Sequence, residues 1–297
     1  MNAPSKEVIE EIAQELSVNP SFIEKDFYAV KILEKAATFS CLGFSPVFSG
    51  GTSLSKAYGL IKRFSEDLDF NFYDSGKLTE GQRRTIRHSF IDEIGRIEGI
   101  SISETKAANG GRKETITVSY PKMFERFSQL REQLQIELFF DTEKNELLEK
   151  RKISSFVGKA FPSFKEDVEI ICNSPFNIMA DKFNALTWRV FQENDNVDYT
   201  VMRHLHDLCA LETTFEISEN FKKKVLDNFE KKDKFRLKKS VSFNEMLQAT
   251  LQKLASVKAY KNGYILFVDS MSYASDDEGI SFEKALASYE RMSRLFL

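Results

Sequence analysis

The segment Asp67-Leu68-Asp69-Phe70-Asn71-Phe72-Tyr73 alternates polar and apolar side chains without a break. Successive side chains of a strand point to opposite faces. A strand here therefore buries Leu68, Phe70 and Phe72 on one side and brings Asp67 and Asp69 side by side on the other. The apolar side requires a core beneath it, and the acidic side requires a cation. Two close carboxylates raise each other's proton affinity unless positive charge lies between them, and a divalent ion is a natural solution. Mg²⁺ takes hard oxygen ligands and commonly combines one or two carboxylates with substrate phosphates. Asp-x-Asp alone is common and usually marks a solvated strand, so the surrounding residues decide.

Upstream, residues 45–50 predict a short strand that breaks at Gly50-Gly51, and residues 52–60 predict a short helix leaving that turn. Glycines let backbone N–H groups approach a phosphate. Thr52 and Ser53 add hydroxyls where the amides and dipole of a helix favour an anion. The competing reading is a tight turn capped by Thr52. The GxxxxGK pattern followed by Ser or Thr is absent, which excludes a P-loop. A third acid, Glu137, interrupts the nearly continuous apolar run Leu134–Phe140. A buried unpaired carboxylate is costly. Glu137 is therefore expected either at the same site or in a salt bridge to Lys or Arg.

Further elements follow from periodicity and turn chemistry. Residues 5–37 are predicted helical, with Ser21 capping a helix that starts after Pro20 and Glu24 three residues on. A helix over 79–97 carries Arg83, Arg84 and Arg87. Extended segments over 99–106 and 113–120 are joined by Asn109-Gly110-Gly111, a strong hairpin signal. Strands are expected over 132–140 and 166–171, giving a mixed or antiparallel sheet. After Pro175 the pattern turns helical over 176–191, 197–215, 217–232, 243–259 and 278–294. The fold class is α+β: a sheet domain with N-terminal helices over 1–174 and a mainly helical domain over 175–297.

Composition sets limits on function. With 42 Lys and Arg against 45 Asp and Glu, the near-neutral chain is not built to coat nucleic acid. Residues 222–239 nevertheless hold nine Lys or Arg and three Asp or Glu, a local balance suited to an RNA backbone or simply to a soluble helix surface. The 27 Phe are expected to fill core. Cys41, Cys172 and Cys209 lack a CxxC spacing and read as reduced thiols of a cytoplasmic protein. His88, His204 and His206 form no zinc pattern. No stretch is apolar enough for a membrane span.

These residues together resemble the AbiEii/AbiGii-type nucleotidyltransferase toxins, a branch of the polymerase-β-like superfamily. The resemblance begins at Glu24-Lys25-Asp26 and centres on Ser49-Gly50-Gly51-Thr52-Ser53-Leu54-Ser55-Lys56 and Arg63-Phe64-Ser65-Glu66-Asp67-Leu68-Asp69-Phe70. It continues at Ala180-Asp181-Lys182-Phe183-Asn184-Ala185-Leu186 and at Arg203-His204-Leu205-His206-Asp207-Leu208. It implies a polymerase-β-like domain with a mixed sheet, followed by a helical domain. It also implies substrate contacts from Gly50, Gly51, Thr52, Ser53, Lys56, Arg63 and Ser65. Asp67 and Asp69 would be the metal-binding acids, with Glu137 as the further candidate acid. Lys182 would face the triphosphate, and Asp207 is an acid of the late helical motif. One departure is His204, which stands where the family often has Asp.

The expected activity is metal-dependent transfer of a nucleotide from an NTP, with Mg²⁺ as cofactor and Mn²⁺ as a substitute. The resemblance implies a toxin of a toxin–antitoxin or phage-defence pair, an RNA acceptor such as tRNA, and a cognate antitoxin. Transfer to a protein and an inactive nucleotide- or RNA-binding protein are the alternatives. Catalysis is expected to draw on Asp67, Asp69 and Glu137 from the sheet and on Lys182 and Asp207 from the helical part.

Overall fold

The alternating segment becomes the middle strand of a seven-stranded mixed sheet. The strands are β1 (Val47–Ser49), β2 (Asp67–Tyr73), β3 (Ser101–Ala108), β4 (Lys113–Ser119), β5 (Leu134–Asp141), β6 (Leu148–Ile153) and β7 (Val168–Asn173). Their order is β3-β4-β5-β2-β1-β7-β6. Strand β2 runs parallel to β5, and β1 runs parallel to β7. The remaining neighbours are antiparallel. The computed structural model describes residues 3–128, 130–141, 147–164, 166, 168–193, 197–233 and 241–297. The chain divides into two units, Met1–Gly59 with Phe64–Ser174 and Leu60–Arg63 with Pro175–Leu297. The sheet lies wholly in the first.

The first unit adds helices α1 (Lys6–Glu15), α2 (Pro20–Thr38), α3 (Gly50–Lys56), α4 (Glu80–Gly95) and α5 (Phe156–Ala160). Leu68, Phe70 and Phe72 of β2 are fully buried. Phe70 and Phe72 meet Phe90 of α4 at ring distances of 5.6 and 6.4 Å, and Phe72 stacks on Phe140 of β5 at 5.2 Å. Many of the numerous phenylalanines are thus core, as their abundance suggested. Truncating such a ring to Ala costs about 3–5 kcal/mol. Asn19, not Ser21, caps α2. Its side chain accepts from the Ser21 amide at 3.0 Å, with Pro20 at the first helical position. The fixed φ of Pro20 suits that position, so the cap falls one residue before the proline.

Arg83 and Arg87 of α4 turn inward. Arg83 donates to the Leu78 carbonyl at 2.6 Å, and Arg87 lies 3.1 Å from Glu114 of β4. Arg87 also donates to the carbonyl of Gly111. That glycine ends the hairpin Asn109-Gly110-Gly111, whose φ values of 52°, 59° and 74° are all left-handed. These arginines hold the hairpin. Strand β6 was not expected from the sequence. Its segment LEKRKI is an edge strand whose charged side chains leave no apolar alternation to read.

The second unit is built on α6 (Pro175–Gln192), with α7 (Met202–Glu212), α8 (Glu219–Asn228), α9 (Phe243–Ser256), α10 (Lys258–Phe267) and α11 (Phe282–Ser293). Helix α6 packs against α7, α8 and α9. Phe183 sits among Phe221, Tyr289 and Phe296 at 5.0–5.7 Å. Asn184 donates to the Val225 carbonyl at 2.9 Å, and Thr250 donates to that of Thr187 at 2.8 Å. Lys253 satisfies the last carbonyls of α6, reaching those of Val190 and Phe191 at 3.0 and 2.9 Å. Among the described residues no helix is long and apolar enough to cross a membrane.

Candidate active site

The polar face of β2 carries the acids. Asp67, Asp69 and Asn71 alternate with the buried residues and are all partly exposed. Parallel pairing sets Gln135 beside Asp67 and Glu137 beside Asp69, while Ser49 of β1 lies on the other side of Asp69. Two cations attend this face. Lys113 donates to Glu137 at 2.9 Å. Arg131 donates to Asp67 and to Gln135. Glu137 therefore has the Lys salt bridge that its isolated charge required, next to the acid pair. The sequence reading missed both cations. Arg131 stands in an irregular segment before β5, and Lys113 is a cross-strand partner that only the register reveals.

The turn before α3 has one strict requirement, and it falls on Gly50. That residue has a φ of +75°, and a Cβ there would lie 1.8 Å from Oδ2 of Asp69. The Asp69 carboxylate thus rests directly against the Gly50 backbone, which only glycine allows. Gly51 follows as a buried residue of the first turn of α3 and is not among the glycines with positive φ. We expect Gly50→Ala to displace the Asp69 carboxylate. Activity should fall by about a hundredfold or more with a stability loss of roughly 1–3 kcal/mol, to be read by turnover together with thermal melting.

The hydroxyls expected at the phosphate turn face inward. Thr52 is buried and donates to the Asp67 carbonyl at 2.6 Å and to that of Ser65 at 3.3 Å, tying α3 to β2. Ser53 is fully buried. Lys56 is nearly buried too and pairs with Asp26. The side chains at these three positions serve the scaffold.

Glu24, Lys25 and Asp26 are all buried, and each anchors a different segment. Glu24 accepts from the Met123 amide at 2.6 Å, and Asp26 accepts from the Phe156 amide at 2.8 Å. Lys25 donates to Glu66 and to the Arg131 carbonyl, both at 2.7 Å, while Glu66 accepts from the Arg131 amide at 2.8 Å. Burial pushes the Lys25 pKa down, and the Glu66 charge opposes that shift. Ser65 lines a small pocket with Lys25, Asp26, Lys56, Phe64 and Glu66.

The second unit contains a buried charge cluster. Asp207 of α7 is fully inaccessible to solvent. It accepts from Arg63 Nε at 2.8 Å and Arg63 Nη2 at 2.7 Å, and Lys182 of α6 lies 2.8 Å from it. His206 Nδ1 lies 3.1 Å from its other oxygen. Burial alone would raise the Asp207 pKa, but the Arg63 and Lys182 charges hold it well below the usual carboxylate range. Arg63, placed by sequence among the substrate contacts, is instead 2% exposed and bidentate to Asp207. Asp207 thus holds Arg63 and Lys182 together in the core of the second unit. His204 is half-buried, 3.4 Å from Arg189. Burial and the Lys182 and Arg189 charges keep its pKa well below the ordinary value.

The donor set of the first unit suits a hard divalent ion. Asp67 and Asp69 supply two carboxylates on one face, the number Mg²⁺ uses when phosphates complete its shell. Among the described residues no three His, Cys, Asp or Glu side chains converge as a metal cage. As placed, Glu137 is held by Lys113 and does not complete a three-acid set.

A family model described as "Nucleotidyl transferase AbiEii toxin, Type IV TA system" matches residues 31–288. The chain belongs to the AbiEii nucleotidyltransferase toxin family. It is accordingly an NTP-dependent nucleotidyltransferase of the toxin–antitoxin class. Among solved structures it is similar to MenT4, a nucleotidyltransferase toxin from Mycobacterium tuberculosis, with a TM-score of 0.53 and 16% identity over 97% of this chain and 96% of that one. At that identity the likeness establishes the fold. No curated protein gives a match. The GGT and SEDLD segments lie in the first unit, and Lys182 and Asp207 lie in the second.

Proposed function

We propose that this AbiEii toxin transfers a nucleotide to an RNA acceptor, with tRNA as the first candidate. The observation that carries the reading is the Asp69 carboxylate resting against Gly50. A phosphate held by the turn's amides then lies within reach of an ion on Asp67 and Asp69. In the reaction the acceptor hydroxyl gives up its proton to solvent, its oxygen bonds to the α-phosphorus, the bond from that phosphorus to the α,β-bridging oxygen breaks, and pyrophosphate leaves. Bound Mg²⁺, or Mn²⁺ in its place, supplies Lewis-acid charge on the phosphate oxygens. The chain's residues do the rest. Asp67 and Asp69 hold the ion, the Gly50-Gly51 backbone holds phosphate, and packing keeps both aligned. The family resemblance assigns Lys182 to the triphosphate; within its own unit Lys182 lies 2.8 Å from Asp207.

The RNA assignment draws on the basic segment over 222–239, of which Lys222, Lys223 and Lys224 lie on α8 and residues 234–240 lie outside the described residues. The same reading implies a cytoplasmic toxin that meets its NTP, its RNA and a cognate antitoxin there, in an addiction or phage-defence setting. The test is incubation with each α-labelled NTP, total tRNA and a protein mixture, with Mg²⁺, Mn²⁺ or chelator. Label in tRNA that chelator abolishes is expected. Label in protein replaces the acceptor. Absence of label under every condition overturns transferase activity in favour of a binding protein.

A further inference from the structure

Arg131 is placed with more care than a surface arginine needs. Its backbone is clamped on both sides by one buried ion pair, the carbonyl accepting from Lys25 at 2.7 Å and the amide donating to Glu66 at 2.8 Å. Lys25 and Glu66 are themselves 2.7 Å apart, with side chains 5% and 6% exposed. The Arg131 side chain, by contrast, is 44% exposed and reaches Asp67 and Gln135 on the acidic face. A fixed backbone therefore delivers an exposed guanidinium to a carboxylate assigned to the metal.

We propose that Arg131 is a substrate-positioning residue that exchanges its salt bridge with Asp67 for the triphosphate of the incoming nucleotide. The inference rests on the metal reading of Asp67 and Asp69. An exposed ion pair is weak, so a divalent ion displaces the guanidinium from Asp67. The clamp prevents the backbone from following, and the side chain stays within one side-chain length of the acidic face. The strongest partner for a displaced guanidinium beside a metal-bound nucleotide is a phosphate, which it meets through two parallel N–H donors. Arg131 thereby couples the two ligands. It opposes metal alone at Asp67 and favours metal together with nucleotide.

The coupling gives opposite signs for two measurements, which a merely structural role does not. In Arg131→Gln, Mn²⁺ binding without nucleotide, followed by electron paramagnetic resonance, should tighten by roughly threefold or more, because a competing cation is gone. The KM for NTP should rise by about tenfold or more. Arg131→Lys should recover part of the KM, because it restores charge without the fork. Melting temperatures measured alongside should be unchanged, since the guanidinium is not packed. Mn²⁺ affinity and KM both equal to wild type in Arg131→Gln overturn the assignment to Arg131 alone. A wild-type Mn²⁺ signal that persists unchanged in Asp69→Asn overturns the metal reading and this inference with it.

Discussion

Asp69→Asn is expected to lower nucleotide transfer by about a thousandfold or more while leaving the fold intact. The exchange is nearly isosteric and the side chain lies on the partly exposed face of β2, so packing against Phe70 and Phe72 is untouched. What is lost is the negative charge that binds the ion. Several kcal/mol of transition-state stabilisation correspond to a factor on that scale. Turnover and thermal melting on the same preparations check it. A variant that melts with wild type but has lost transfer is the expected result. Equal turnover shows that Asp69 holds no essential ion.

The largest effect on stability is expected at Asp207. Asp207→Asn leaves Arg63 and Lys182 buried with no anion between them, at a cost of about 3–5 kcal/mol. The loss should be visible as a drop of roughly 10 °C in melting temperature. Removing one orphaned cation as well, in Asp207→Asn with Lys182→Met, should recover part of the stability because the sites are coupled. The pH dependence has a defined sign. Burial disfavours the Asp207 carboxylate, but Arg63 and Lys182 outweigh it and the folded pKa is depressed. The cluster's contribution is therefore fully present above the unfolded pKa of about 3.9 and is lost as pH falls through the folded value. Denaturant titrations below about pH 4 should show wild type losing this increment, with Asp207→Asn insensitive over the same window. If Asp207→Asn matches wild-type stability at pH 7, the cluster is not the anchor described.

What the sequence disclosed follows from the range of the signal. Strand β2 was legible to the residue, because one buried and one polar face impose strict alternation. The glycine turn and the Asn-Gly-Gly hairpin were legible because left-handed backbone leaves a composition signal at Gly50, Gly110 and Gly111. Strand β6 was hidden by its charged edge position. The short helices α5 and α10 were hidden by their length and by the breaks beside them. At the site, same-face placement of Asp67 and Asp69 followed from spacing alone. The partners of those acids did not. Arg131 reaches Asp67 across 64 residues, and Arg63 reaches Asp207 across 144, distances at which no periodicity survives. The pairing of Arg63 with Asp207 was not legible because Arg63 stands just before the SEDLD segment, although residues Leu60–Arg63 belong to the second unit. Thr52, Ser53 and Lys56 have the right chemistry for phosphate. Only the packing shows that Thr52 bonds to the strand carbonyls, that Ser53 is buried and that Lys56 pairs with Asp26.

The central claim is that two carboxylates on β2 hold the ion for nucleotide transfer. The most direct measurement is incorporation of label from α-labelled NTP into acid-precipitable RNA, across a Mg²⁺ titration, by wild type and by Asp67→Asn and Asp69→Asn. Incorporation by wild type is expected to rise with Mg²⁺ and vanish with chelator, with none above background for either variant. Incorporation by both variants at the wild-type level with the same Mg²⁺ dependence would contradict it.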